Sequence, residues 1–405
     1  MKSERQYIEL YQEAGDLIKS KSCAVMNAVR DEAFATFERQ GFPTKKEERY
    51  KYTDVDAAFS PNYGISLTPL TIKPSLYIYN VKDAPLDITP YYNRVANTKD
   101  SITALNTALV HDALLIHVPA NTLVDDPIVV DNWLRGTAPT MTNRRILLLI
   151  EKGASATVII NDHAADKQRF LLTQVVEVYV QDNAHLDLYE IEETTPLCSR
   201  FSNIYIQQGR DSSVKHNAIT LFNGQTRNLC DVYLKGEGAE VTLNGCAIGS
   251  ASQRIDNNTL IHHQVPRCQS NQLYKYVVDD HAVGAFAGKI LVDKGAQKTT
   301  SQETNANLCA SSDARMYTQP MLEIYADDVK CAHGSTVGVM DEAALFYMRQ
   351  RGIPEVEART LLKNAFMGQV IDQIKFEPLR QRLYVKVEKR FRGELDKCED
   401  CRLCK

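Results

Sequence analysis

The sequence predicts a mostly β protein, a β-solenoid flanked by helical regions, and three observations carry that prediction. Between about residues 106 and 332, short Val/Ile/Leu/Tyr runs alternate with polar residues and are punctuated by small turn residues. The turns recur: Ala154, Ala184, Ser213, Ala239, Gln269 and Ala296 mark corresponding places, separated by 30, 29, 26, 30 and 27 residues. Helical periodicity is confined to the segments before and after this array. A self-similar unit of roughly 20–50 residues that cannot bury its own apolar face must stack on its neighbours. Two short runs per turn suit one coil of a solenoid, whereas a propeller blade wants four strands. A β-sandwich of irregular hairpins is the competing reading, and the long strand count favours the solenoid.

The elements follow in order. From Ser3, Tyr7, Leu10, Tyr11, Ala14, Leu17 and Ile18 recur at helical spacing, and Ser3 with Gln6 has the form of a capping box. A second helix carries Val25, Met26, Val29, Ala33, Phe34 and Phe37 on one face and is stopped by Gly41-Phe42-Pro43. Residues up to 105 are mixed and interrupted by prolines. After the array, Asp341 to Gln350 reads as a helix stopped by Gly352. Pro354 opens a longer one, with Val356, Leu361, Leu362, Phe366, Val370 and Ile374 as its apolar stripe. The expected division is therefore 1–105, an N-terminal helical region; 106–335, the β core; and 336–405, a C-terminal helical domain with a Cys-containing tail. A solenoid has two open ends whose unpaired backbone groups invite association, and the flanking helices are expected to cover them.

Composition excludes several functions. The chain has 405 residues, with Lys+Arg 47 against Asp+Glu 51, a net charge of −4 and a pI near 6.2. It therefore lacks the basic field that would hold a nucleic-acid backbone or an anionic membrane. The 44% hydrophobic and 24% charged fractions are those of a folded protein. The first residues lack the apolar core of a secretory signal, and the run Ile146 to Ile150 is far below membrane-spanning length, so a cytoplasmic location is expected. In that reducing compartment the ten cysteines read as thiols.

Enzyme signatures are missing. There is no Gly-x-Gly-x-x-Gly after a strand, no His-Glu-x-x-His and no Gly-x-Ser-x-Gly, and Gly284 to Lys289 reads as a strand rather than a phosphate loop. The chain by itself is not expected to be an enzyme. Soft-ligand candidates remain. Cys331 and His333, at spacing two on a strand, share a face and suit iron, copper or zinc; the bland alternative is a packed thiol and a hydrogen-bonded rim histidine. His262-His263 must point to opposite faces and is read as structural. Cys398, Cys401 and Cys404 form a Cys-x-x-Cys-x-x-Cys tail one ligand short of a tetrahedral site.

These residues carry a resemblance. Pro320-Met321-Leu322-Glu323-Ile324, then Asp327 to Gly338, then Leu345-Phe346-Tyr347 and Arg351-Gly352-Ile353 closely resemble the SufB/SufD family of iron–sulfur cluster assembly proteins, the SufD branch being the nearer. Gly41-Phe42-Pro43-Thr44, Glu48 and Lys51-Tyr52-Thr53 are similar to the family's N-terminal elements, with Tyr50 where many members carry Trp. The resemblance implies a right-handed parallel β-helix, non-catalytic itself, that pairs with a SufB-like paralogue and docks a SufC-like ATPase. Leu345, Phe346, Tyr347, Arg351, Gly352, Leu361 and Phe366 are the expected docking residues.

It also implies that His333 and Cys331 lie at the cluster-assembly interface, with His333 receiving iron transiently. A thiol near the imidazole is expected as a thiolate of reduced pKa. No stably bound cofactor is expected, only transient iron or cluster and a flavin recruited by the complex. Two alternatives stay open: a cytosolic homodimeric β-helix scaffold, and a carbohydrate-active β-helix enzyme.

Overall fold

The computed structural model describes residues 3–68, 75–164 and 168–394; Cys398, Cys401 and Cys404 lie outside them. It is a parallel β-solenoid of about eight coils with helices before and after. Successive strands alternate between two sheets. One has ten strands and runs from Arg315–Ile324 back to Ile78–Asn80; the other has eight, from Val329–Val339 back to Ile128–Leu134. Every pairing is parallel except the short antiparallel start, Ile78–Asn80 against Leu114–Val118. Gly284 to Lys289 does lie in a strand, Val283–Val292.

The repeat read from the sequence is the coil. Ser155, His185, Ser213, Glu240, Gln269 and Thr300 occupy one column of the eight-stranded sheet. Two of the sequence marks, Ser213 and Gln269, fall on that column, and the others precede it by one to four residues. Corners between the strands are tight. Asn223-Gly224, a pair that would favour a hairpin, instead turns the chain from one sheet to the other. A Cβ at Gly224 would lie 2.4 Å from the Pro196 carbonyl oxygen of the coil below, so only glycine fits this corner.

The lumen is apolar along one side and polar along the other. Ile116, Val118, Ile146, Leu148, Val176, Val178, Ile204 and Ile206 stack in the apolar part. In the polar part, Arg144 and Arg200 reach Asp162 at 2.5 and 2.6 Å, and Arg200 also reaches Glu190 at 2.9 Å. Burial alone raises the Glu190 carboxyl, but Arg200 and His216 hold it down at about 2. At Glu190 the partners outweigh desolvation, whereas Arg144 keeps Nε and Nη1 without a partner among the described residues and burial lowers its pKa; loss of a partner in this cluster would leave an uncompensated buried charge.

The helices cover the two faces of the solenoid and leave the last coil open. Helices Glu4–Lys21, Ala24–Gln40 and Ser101–Leu109 pack on the ten-stranded sheet, where Tyr7, Phe37, Phe42 and Phe59 meet Met141, Leu171 and Phe201. The expected capping box is absent: the Ser3 hydroxyl donates to Asp56 and the Gln6 amide to the Phe59 carbonyl, so tertiary partners displaced the local cap. Arg30 is buried, and its guanidinium donates to the carbonyls of Ala108 at 2.6 Å and Val110 at 2.8 Å, closing the C-terminal end of helix Ser101–Leu109.

Three helices, Glu342–Gln350, Glu355–Ile371 and Glu377–Phe391, follow the array, the last of them not foreseen in the sequence. They cover the eight-stranded sheet through Met367, Val370, Ile371, Ile374, Leu379, Leu383 and Val387. The stripe expected from Pro354 onward holds in part: Val370 and Ile374 are buried and Leu362 and Phe366 pack against them, whereas Val356 is 79% exposed and Leu361 is exposed, and Ala358, Thr360 and Met367 join the buried face. Among the described residues, no strand pairs with the outer edge of Val329–Val339, so the expectation that helices cover the ends fails there. No described helix is long and apolar enough to cross a membrane.

Candidate functional site

The last coil consists of Arg315–Ile324 and Val329–Val339, and its edge is where the solenoid stops. Strand alternation places Val329, Cys331, His333, Ser335 and Val337 on the lumen side, each directly above a residue of Thr299–Cys309: Thr299, Ser301, Glu303, Asn305 and Asn307. Cys331 and His333 therefore do share a face. Cys331 is half-buried, whereas His333, at the unpaired edge, is exposed.

Below Cys331 runs a chain of hydroxyls. Ser301 Oγ lies 2.6 Å from Ser270 Oγ, which lies 2.9 Å from His263 Nε2. His263 is buried in the lumen, and burial pushes its pKa down to about 4. Its neighbour His262 points outward to Asp293 at 3.0 Å, so the His-His pair divides between the two faces as alternation requires. Burial pushes the Cys331 thiol above its ordinary pKa, with a hydrogen bond from the Ser301 backbone pulling the other way. That direction is opposite to the one a low-pKa thiolate requires, and burial is its largest cause.

Below His333 lies Glu303, which sequence reasoning missed. Its carboxylate accepts from Gln272 Nε2 at 3.0 Å, and burial pushes it up to about 7. The signal was present, since Ser301 and Glu303 are polar at lumen-facing positions where earlier coils carry Leu186, Val214 and Val241, and Val158, Leu188 and Leu243. Ser335 Oγ joins the last coil together, 2.5 Å from Thr318 Oγ1. Around this polar mouth Tyr325, Val337 and Val339 are exposed, Val339 at 77%.

The expected docking residues divide. Phe346 and Tyr347 are exposed on helix Glu342–Gln350, and Arg351 donates to the Tyr347 hydroxyl at 3.0 Å. Gly352 takes a φ of 83° that ends this helix, and Leu361 is exposed on the next one. Leu345, by contrast, is only 2% exposed and packs inward, and Phe366 is half-buried with Lys275 Nζ 4.0 Å from its ring centre. These two support the helices from within.

The N-terminal residues similar to the family elements form a brace along the ten-stranded sheet. Arg49 forks onto Asp231 at 2.5 and 3.0 Å, Thr53 donates to Asp256, and the Tyr52 and Tyr317 rings stack at 4.9 Å. Gln319 donates to Glu48 at 3.1 Å. The brace thus reaches the last coil from outside, below the edge that carries His333.

Comparison with known proteins gives consistent matches. Residues 133–366 match the family described as SUF system FeS cluster assembly, SufBD core domain, and residues 1–81 and 78–130 match the SufBD protein N-terminal region. An iron–sulfur cluster assembly SufBD family protein of Synechocystis is 31% identical over 307 residues, 72% of this chain and 67% of the relative. The iron–sulfur cluster assembly protein SufD of Escherichia coli is 28% identical over 384 residues, covering 88% and 90% of the two chains. SufD of Bacillus subtilis is 25% identical over 291 residues, 71% and 66% of the two.

Proposed function

This chain belongs to the SufBD family, as a SufD-type member, and on that premise we propose that it is a cytoplasmic scaffold subunit in iron–sulfur cluster assembly. In this reading it pairs with a SufB-like paralogue and docks a SufC-like ATPase. The observation that carries the reading is the bare edge of Val329–Val339, which bears Cys331 and His333 at a polar lumen mouth ringed by Tyr325, Val337 and Val339. An unpaired strand edge of this length is a template for another chain. A second solenoid adding there would enclose the imidazole between two subunits.

The chemistry is division of labour. The ATPase supplies the nucleotide hydrolysis for which this chain has no loop, and docks on the outer side of Glu342–Gln350 and Glu355–Ile371 through Phe346, Tyr347 and Leu361. A rigid coil hydrogen-bonded along its length transmits a turn of those helices to the edge, which opens or closes the pairing. Iron is cargo in this scheme. His333 accepts it through a ring nitrogen, and Cys331 becomes a ligand only as its thiol proton passes to solvent when the metal binds. No turnover by the lone chain is needed.

The same edge also favours a second reading, self-pairing of two copies when no paralogue is present. Purification from the native cell tests the first: a SufB-like chain and a SufC-like ATPase are expected in the eluate. Recovery of the chain only as a homodimer would leave the second reading in place.

A further inference from the structure

The lumen mouth holds a carboxylate that pairing and docking do not use. Glu303 is 0% exposed, and its Oε1 has no hydrogen-bond partner among the described residues. Its other oxygen is carefully held: Thr259 donates to Gln272 Oε1 at 2.8 Å, which orients the Gln272 amide to donate to Glu303 Oε2 at 3.0 Å. A buried carboxylate oxygen left without a partner costs free energy, so the sequence is expected to remove it unless it has a use.

The fold instead makes room for it. Gly288 faces Glu303 across the lumen, and a Cβ there would lie 2.6 Å from both carboxylate oxygens. Above Gly288 in its sheet stands Pro320, and above Glu303 in its own sheet stands His333, one strand spacing of about 4.8 Å away and on the same face. The spare oxygen and the exposed imidazole are thus successive lumen-side groups in the last two layers of the solenoid.

We propose that Glu303 and His333 together hold a divalent, ferrous-type cation at the lumen mouth, the carboxylate being the ligand that the assignment of His333 alone leaves out. The proposal rests on the reading of His333 as an iron acceptor. An oxygen and an imidazole nitrogen suit ferrous iron, and a ligating carboxylate is commonly fixed by an outer hydrogen bond of the kind Gln272 supplies. Among the described residues no group of three or more His, Cys, Asp or Glu could enclose a metal. Two ligands leave the remaining positions to water and to groups across the subunit edge, which describes a place of transfer rather than permanent residence.

The test uses the full chain under anaerobic conditions with Co(II) as the spectroscopic probe. The unaltered chain is expected to develop saturable d–d absorption. Glu303→Gln, which keeps an acceptor for Gln272, is expected to weaken binding about 10–100-fold without lowering the melting temperature, and His333→Ala to do likewise. Loss of binding in His333→Ala alone overturns the role of Glu303 and leaves His333 as an iron acceptor. Loss in Glu303→Gln alone overturns the pair and the His333 reading together, and no saturable absorption in the unaltered chain overturns the site. A measurement without variants guards against misfolding: Mn(II) is expected to broaden the NMR signals of both the His333 ring and the Gln272 side-chain amide. Broadening of His333 alone would end the proposal.

Discussion

Gly288 and Glu303 face each other across the lumen so closely that a single methyl group on Gly288 would lie 2.6 Å from both carboxylate oxygens. Gly288→Ala is therefore expected to displace the carboxylate and to lower stability by about 1–3 kcal/mol, the usual cost of overpacking. Chemical denaturation measures it. Shortening the opposing side chain in Gly288→Ala/Glu303→Ser should recover part of the loss, and strictly additive losses would show that the two positions do not interact.

Arg30 closes a helix end from the side, so Arg30→Met should be costly even though it removes a charge. The carbonyls of Ala108 and Val110 would lose buried donors, and a loss of about 2–4 kcal/mol is expected. Hydrogen exchange should localise the weakening to Ser101–Leu109; a uniform change across the solenoid would contradict the assignment.

His263 supplies an acid-sensitive term. Its folded-state pKa of about 4 lies below the 6.5 of an exposed histidine, so the unfolded chain binds the extra proton between these values. Stability from this group is complete above pH 6.5 and is lost as pH falls through that window, by at most about 3 kcal/mol. His263→Gln, measured against the parent from pH 7.5 to 4, should flatten that part of the profile. Parallel profiles would show that the imidazole is not the titrating group.

The outer and inner residues of Glu342–Gln350 should behave differently. Phe346→Asp is expected to leave the melting temperature within about 2 °C, as exposed substitutions do, while abolishing capture of a SufC-like ATPase. Leu345→Asp buries a charge and should unfold the helix. Undiminished capture by the Phe346 variant, seen by surface plasmon resonance, would move the docking surface elsewhere.

Pairing through the last strand is tested at Val339. Val339→Lys places a charge on the edge in the way natural edge strands discourage association. Expected is a shift toward monomer for the isolated chain and weakened binding of the paralogue, both by analytical ultracentrifugation. An unchanged sedimentation profile would exclude this edge.

The coil was legible because the corner residues recur at a nearly constant interval, and Ala154, Ala184 and Ser213 mark the same corner coil after coil. What the sequence hid was what goes inside. Glu303, Arg200 and Asp162 look like surface residues in a linear reading, and only the stacking of coils buries them in the lumen and brings Arg200 against Asp162. Similarly, Ser3 and Gln6 have the spacing of a local cap, but Asp56 and Phe59 outcompete it from more than fifty residues away. Cys331 and His333 could be placed on one face by parity. The direction of the thiol's titration depended on burial at the edge, which spacing does not report.

Because the helices lie along the flanks and the outer edge of Val329–Val339 is unpaired among the described residues, whole units added below it would extend the body beyond the reach of the brace formed by residues 48–53, which ends on Tyr317 and Gln319. Each added unit would carry His333 about 4.8 Å farther from the amino-terminal bundle. Coil number is therefore a ruler: it fixes how far the tip that carries His333 projects from the flanking helices.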